Sequence, residues 1–153
     1  MDLSTHLPSR LIFLANGLAL HAYRLYSSRL GLRSGDWRII SALGYLGPIS
    51  YNDLVANIRM DRAGISRTVG SLVRRGYVLR HTSRTDRRLS TLSLTEKGVQ
   101  VDDRIAPTAR ARDRRLTALL TSDEFTRFDR VLRTLQSEVD KMLQETAPGR
   151  GGR

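Results

Sequence analysis

The spacing of apolar residues changes between residues 36 and 94, and this change restricts the possible folds more than any other feature of the chain. Up to residue 75, apolar positions recur at intervals of three and four, as on one face of an α-helix. From residue 77 to residue 94 they lie in two short runs on either side of a polar, arginine-rich stretch, as in two strands joined by a long turn. The sequence therefore predicts helices followed by a β-hairpin.

Residues that begin and end helices divide the helical part into three. A helix is predicted over residues 36–46, because Gly47 and a proline follow it. A second, short helix begins at Ser50, whose hydroxyl is suited to cap a first turn. A third is predicted from the N-cap Asp61 to residue 75, where Gly76 ends it.

Long helices are predicted on both sides of this segment, over residues 8–30, 95–120 and 121–146. The last of them begins at Thr121 and Glu124, which have the spacing of a capping box. The outer helices carry more apolar surface than a small core can bury. We therefore expect them to pack against a partner, most simply a second copy of the chain. The surplus apolar residues are Leu7, Leu11, Leu14, Leu18 and Leu25 in the first helix and Phe125, Phe128, Leu132, Leu135, Val139 and Met142 in the last.

This order of elements is typical of a winged helix-turn-helix domain, in which one helix enters the major groove of DNA. We expect a mainly α fold with a small β-hairpin wing and with N- and C-terminal dimerisation helices. The predicted divisions are an N-terminal dimerisation helix (residues 1–33), a winged helix-turn-helix DNA-binding domain (34–95), C-terminal dimerisation helices (96–146) and a disordered tail (147–153) rich in glycine and arginine.

The charge of the chain predicts an acidic partner. Lysine and arginine number 26 against 15 acidic residues, which gives a formal net charge of +11. All the basic residues except Lys97 and Lys141 are arginines, which bind phosphates and guanine edges bidentately. Duplex DNA is therefore favoured over a membrane surface.

Several classes of protein are disfavoured by what the sequence lacks. There is no cysteine, so thiol chemistry and cysteine-bound zinc are excluded. The three histidines are scattered, and no catalytic motif is present, so we expect neither an enzyme nor a catalytic residue, metal or cofactor. The apolar run over residues 11–23 is too short to span a bilayer, and its helical period argues against a signal peptide. We expect a cytoplasmic protein.

The helix predicted over residues 61–75 is the candidate DNA-reading element. With Ile65, Val69, Leu72 and Val73 inward, its other side is basic, small and rich in hydroxyls. Arg67 is suited to bind guanine, and the hydroxyls are suited to bind base edges or phosphates. A solvated basic face is the plainer alternative. The candidate DNA-binding residues on this helix are Arg62, Ser66, Arg67, Thr68, Ser71 and Arg74.

The turn of the hairpin is the second candidate contact with DNA. Arg84, Arg87 and Arg88 lie where arginine stems have little core to pack against, so they are candidates for phosphate or minor-groove contacts. Asp86 is expected to orient Arg88 rather than to touch DNA. The alternative is an exposed loop that is merely charged.

The residues of this hairpin resemble a known family. The segment D-R-R-L-S-T-L-S-L-T at residues 86–95, followed by E-K-G at 96–98, resembles the wing signature of the MarR family of bacterial regulators. Further similar residues upstream, among them Trp37, extend the resemblance over residues 10–145. One position departs from the pattern, because many members carry an acidic residue where Gly70 stands, and it pairs with the arginine at the place of Arg88.

The resemblance implies a homodimeric transcription regulator, in our interpretation a repressor, that binds a palindromic DNA operator. It also implies a pocket for a small effector, often an aromatic or phenolic carboxylate, where the dimerisation helices meet the winged domain. The alternative function is that of a sequence-indifferent architectural DNA-binding protein, and the alternative role of the aromatic candidates is plain core packing. Trp37, Ser41 and Tyr45 are spaced by four and are predicted to share one face of the helix over residues 36–46. Together with two residues of the first helix they form the effector candidates, which are His21, Arg24, Trp37, Ser41 and Tyr45.

Overall fold

The computed structural model of the chain describes residues 2–58, 60–82 and 90–146. The prediction of a mainly α fold with a small hairpin wing is confirmed. The predicted tail from residue 147 lies outside the described residues. The elements, in chain order, are α1 (Leu7–Leu30), α2 (Asp36–Leu46), β1 (Ile49–Ser50), α3 (Tyr51–Ile58), α4 (Arg62–Arg74), β2 (Val78–Thr82), β3 (Ser90–Leu94), α5 (Glu96–Thr117) and α6 (Ser122–Glu145).

The hairpin belongs to an antiparallel sheet of three strands in the order β1-β3-β2. Thr82 is opposite Ser90 at the base of the wing, and Ile49 of β1 is opposite Leu92 of β3. The sequence predicted only two strands. A strand of two residues is too short to show the alternation that reveals strands, so β1 could not be found by its period.

Side chains cap the starts of α4 and α6 as predicted. The carboxylate of Asp61 accepts hydrogen bonds from the backbone N–H groups of Ala63 and Gly64 and so caps α4. The capping box at α6 is also present, with Thr121 and Glu124 each accepting a hydrogen bond from the other's backbone N–H. These caps use only neighbouring residues, which is why the sequence reveals them.

The chain divides after Thr108 into two compact units. The core of the first unit buries one edge of α4 under α2, α3 and the sheet, and this burial leaves the opposite edge of α4 facing solvent. Its buried apolar side chains are Ala22, Tyr26, Leu32, Ile39, Ile40, Leu43, Leu54, Ile65, Val69, Leu72, Val78, Leu92, Val101 and Ile105.

The second unit, from Ala109 onward, contains the end of α5 and all of α6. None of the residues of α6 is buried within this chain. Large apolar side chains on it are about half exposed, among them Phe125, Phe128 and Met142. Among the described helices, none is both long and apolar enough to cross a membrane.

A substitution at Gly98 tests the close packing between the start of α5 and Tyr77, the residue before β2. A Cβ at Gly98 would overlap the backbone oxygen of Tyr77, and a backbone atom cannot swing aside. Gly98→Ala should therefore lower the free energy of unfolding by about 1–3 kcal/mol, measured by urea denaturation. Gly17→Ala is the matched control, because nothing lies within 4 Å of its Cβ position in α1. The control should be neutral or stabilising by up to about 1 kcal/mol, and equal losses in both variants would contradict this account.

Candidate nucleic-acid interface and cavity

The outward edge of α4 carries most of the predicted DNA-binding residues. Arg62, Ser66, Arg67 and Arg74 are all exposed. At 100° per residue they lie within an arc of about 140°, and the small residues Ala63 and Gly70 lie inside the same arc. An edge built in this way lets a helix approach a groove closely while its arginines reach to either side.

The arginines of this edge are held only weakly in the free protein. A guanidinium nitrogen of Arg67 lies 3.9 Å from a carboxylate oxygen of Asp61, and both side chains are more than 70% exposed. Exposed pairs of this kind contribute little free energy. The guanidinium of Arg74 lies over Gly70, with Nη1 3.5 Å from the position of a Cβ at that glycine. Little has to be broken before either arginine meets another partner.

Two predicted side chains of α4 do not lie on the outward edge. Ser71 is buried and its hydroxyl accepts a hydrogen bond from Arg33 at 3.4 Å, so the prediction that it points outward is wrong. Thr68 is half-buried, lies against Gly35 and donates its hydroxyl to the carbonyl oxygen of its own helix at residue 64. The reason is that the connection between α1 and α2 covers this flank of α4, which helical periodicity does not reveal.

The tip of the wing lies outside the described residues. The predicted contacts of Arg84, Arg87 and Arg88, and the orienting role of Asp86, therefore stay predictions.

Sequence reasoning missed two residues beside the start of α4. The hydroxyl of Tyr51 donates to the carbonyl oxygen of Arg62 at 3.2 Å. The guanidinium of Arg80, an exposed residue of β2, lies 5.7 Å from the centre of the Tyr51 ring, within range of a cation–π interaction. Arg80 belongs to the arginine-rich stretch that begins the wing, and its proximity to Tyr51 depends on how β2 packs.

The far end of α4 is held by a buried ion pair. Asp36 at the start of α2 is almost fully buried, and its carboxylate forms an ion pair with Arg75, the residue that ends α4. Burial by itself lowers the pKa of Arg75, but its hydrogen bond and charge interaction with Asp36 outweigh burial and raise the pKa above its ordinary value. The ion pair therefore favours the charged form of the Arg75 guanidinium.

A cavity of about 400 Å³ lies between α1 and α5 within the first unit. Tyr26 is 3% exposed, and its hydroxyl has no hydrogen-bond partner among the described residues. A buried hydroxyl without a partner is costly in free energy, which makes Tyr26 a lining residue with an unsatisfied polar group. The lining residues are Leu25, Tyr26, Arg29, Leu30, Asp103, Arg104, Pro107 and Thr108.

The residues predicted to bind an effector do not line this cavity. His21 and Arg24 are exposed on α1, and Trp37 is half-buried with its ring 5.8 Å from that of Tyr26. Tyr45 is 89% exposed. The prediction that Tyr45 shares a face with Trp37 is wrong, because eight residues turn a helix by about 80° beyond two full turns.

Ser41, the remaining effector candidate, is half-buried in α2 and faces Asp102 of α5. Burial raises the pKa of Asp102, the Ser41 hydroxyl lowers it in part, and the neighbouring Asp103 raises it again. The carboxylate of Asp102 packs against Gly44, where a Cβ would overlap it. Ser41 thus lies at the contact between α2 and α5, and its buried hydroxyl, like that of Tyr26, has no hydrogen-bond partner among the described residues.

Comparison with known proteins supports a family assignment. Residues 30–89 match the family model described as the MarR family. A protein from Thauera aromatica, described as a putative transcriptional regulatory protein for the hcr operon, is 29% identical over 101 residues, or 66% of this chain. The matched region covers 61% of that relative's length.

Solved structures with similar folds agree with this match. A MarR/EmrR family transcriptional regulator from Acinetobacter sp. ADP1 is 26% identical, with a TM-score of 0.84 over 92% of this chain and 99% of its own. The PcaV transcriptional regulator from Streptomyces coelicolor, solved with its natural ligand, is 25% identical, with a TM-score of 0.69 over 90% of this chain and 96% of its own. The family and the fold are those of transcriptional regulators rather than enzymes. The predicted resemblance is confirmed: the family model that matches residues 30–89 and these solved structures are those of MarR family transcriptional regulators.

Proposed function

We propose that this protein is a cytoplasmic repressor that binds a palindromic DNA operator as a homodimer and releases it when a small aromatic carboxylate binds. The observation that carries the proposal is the outward edge of α4, where Arg62, Ser66, Arg67 and Arg74 are exposed around two small residues. Arginine pairs bidentately with guanine in the major groove, and serine is a suitable partner for base edges or phosphates. The predicted winged helix-turn-helix domain of residues 34–95 contains this edge and the arginines of the wing.

The exposed apolar residues support the homodimer. Leu7, Leu11 and Leu14 of α1 are between 37% and 59% exposed, and Phe125 and Phe128 of α6 are similarly accessible. Apolar surface in water costs about 25 cal/mol for each Å². A second copy of the chain carries the same exposed apolar surfaces. A two-fold symmetric contact therefore removes apolar surface of both copies from water at once.

The cavity between α1 and α5 supports an effector site. Leu25, Leu30 and Pro107 offer apolar walls to an aromatic ring. Arg29 and Arg104 are cations suited to a carboxylate, and the Tyr26 hydroxyl is suited to a phenolic hydroxyl. The PcaV relative was solved with its natural ligand, which is consistent with ligand control in this protein.

Arg67 is expected to read a base. Fragments selected from the host genome by the wild-type protein supply the operator for the test. Arg67→Ala should cost about 1–3 kcal/mol of specific binding and relax the preference at one base position. Arg130→Ala, which removes an exposed charge from α6, is the matched control and should bind like wild type. If Arg67→Ala weakened operator and random DNA by the same factor, its assignment as a base reader would be wrong.

The two-fold symmetry of the dimer predicts the geometry of the operator. Two α4 helices on one face of the duplex reach successive major grooves, so half-site centres should lie about 10 base pairs apart. Inserting about five base pairs between the half-sites turns one of them by half a helical turn and should abolish tight binding. Gel-shift titration of the two duplexes measures the difference. Indifference to the insertion would defeat the dimeric proposal and favour an architectural protein.

The effector proposal distinguishes two tyrosines. A hydroxybenzoate that binds should raise the Tm of the wild-type protein in a thermal shift assay and weaken its operator complex. Tyr26→Phe removes the buried hydroxyl and should reduce both effects, whereas Tyr45→Phe, at an exposed ring, should reduce neither. If Tyr45→Phe reduced both effects and Tyr26→Phe reduced neither, the effector site would lie at the residues predicted from sequence. If no hydroxybenzoate isomer changed the Tm, the proposed ligand class would be wrong.

A further inference from the structure

Arg75 connects the end of α4 to the end of α1. Its Nη1 atom forms the ion pair with Asp36, and its Nη2 atom donates to the carbonyl oxygen of Gly31 at 3.2 Å. Gly31 is the C-cap of α1, with φ 63°, a left-handed conformation that suits glycine. The guanidinium of Arg75 therefore links the C-cap of α4 to the end of α1 and to the first turn of α2.

The acidic partner is held by the same connection. Asp36 accepts a second hydrogen bond, from the backbone N–H of Arg33 at 2.8 Å, and the Arg33 side chain reaches Ser71 of α4. The side chain of Asp36 is 2% exposed. A buried carboxylate with two donors has a defined orientation, since any other would leave it unpaired.

The backbone of Arg75 is held from a further direction. The ammonium of Lys97, in the first turn of α5, donates to the carbonyl oxygen of Arg75 at 3.0 Å. The ring of Tyr77 has the Arg75 guanidinium 5.0 Å and the Lys97 ammonium 4.3 Å from its centre. Both distances are within the range of cation–π interactions. The main chain and the side chain of Arg75 are thus fixed together.

We propose that Asp36 and Arg75 are positioning residues for DNA recognition, which tie α4 to the exit of α1 and so set the direction in which α4 presents its outward edge. The proposal rests on the proposed function, because it assumes that this edge reads DNA. A rotation of α1 moves Gly31 and residues 33–36, and the charged connection carries that movement to the end of α4. Neither residue touches the DNA.

Arg75→Lys separates this role from simple stability. Lysine keeps the positive charge beside Asp36, but its single nitrogen cannot span both Asp36 and Gly31 as the planar guanidinium does. The double variant Asp36→Leu with Arg75→Met removes both charges and leaves no buried charge unpaired. The control is Ile39→Val, which loosens the core of α2 without touching the connection.

The first measurement is the distance between α1 and α4. The chain has no cysteine, so Ser28→Cys and Ser66→Cys place spin labels at two chosen sites. Labelled chains diluted in excess unlabelled protein report only the distance within one chain. We expect a narrow distance distribution for the parent and for Ile39→Val, and a broadened or shifted one for Arg75→Lys and for the double variant. An unchanged distribution in both would overturn the proposal.

The second measurement concerns DNA, with the selected genomic fragment and versions carrying one base pair more or fewer between the half-sites. In Arg75→Lys the preference for the native spacing should fall by about 2- to 30-fold, the range of coupling effects expected for such residues. A merely structural role would weaken all the duplexes by one factor and leave the preference unchanged, and this result would also overturn the proposal. If the wild-type protein itself showed no spacing preference, the proposed dimeric operator would be wrong, while the spin-label distances would still test the connection.

Discussion

Burial of one edge of α4 is the interaction on which the rest of the structure depends. Ile65, Val69 and Leu72 are fully buried, and each such side chain contributes about 1.5–3 kcal/mol. These residues stabilise the first unit and at the same time determine which side of the helix faces outward. The core therefore fixes the orientation of a surface to which it contributes no atom. The stability of the first unit and the orientation of the outward edge of α4 therefore have one physical cause. A substitution among the buried residues of α4 affects both.

Apolar packing alone does not fix the direction of the α4 axis, and polar interactions at the ends of the helix do. Apolar contacts tolerate small slides and rotations, whereas hydrogen bonds lose strength quickly when their geometry changes. Asp61 binds backbone N–H groups at the start of α4, and Arg75 binds two acceptors at its end. Apolar packing of the buried edge fixes how closely α4 lies against the core, and the hydrogen bonds at its two ends fix the direction of its axis. Both kinds of constraint are needed to present side chains to a groove of fixed pitch.

The sequence predicted what neighbouring residues determine. The caps at Asp61 and Thr121, the helices around them and the exposure of Arg67 follow from local spacing. The burial of Ser71 could not be predicted, because it depends on a loop from α1 that packs beside α4 only in the folded chain. The cavity behind Tyr26 has the same origin, since its walls come from helices about 80 residues apart in sequence. Helical periodicity also fails over long spans, where a small angular error accumulates as at Tyr45.

The capping box of α6 has a consequence for how such a protein changes over generations. Thr121 and Glu124 complete the start of this helix from within it, and none of its residues is buried in its own chain. Substitutions along α6 therefore leave the core around α4 untouched and are selected only through whatever covers the helix. In the proposed dimer, two descendants of a gene duplication could therefore lose the ability to pair with each other while keeping the outward edge of α4 unchanged. Choice of partner and choice of binding site are free to evolve separately.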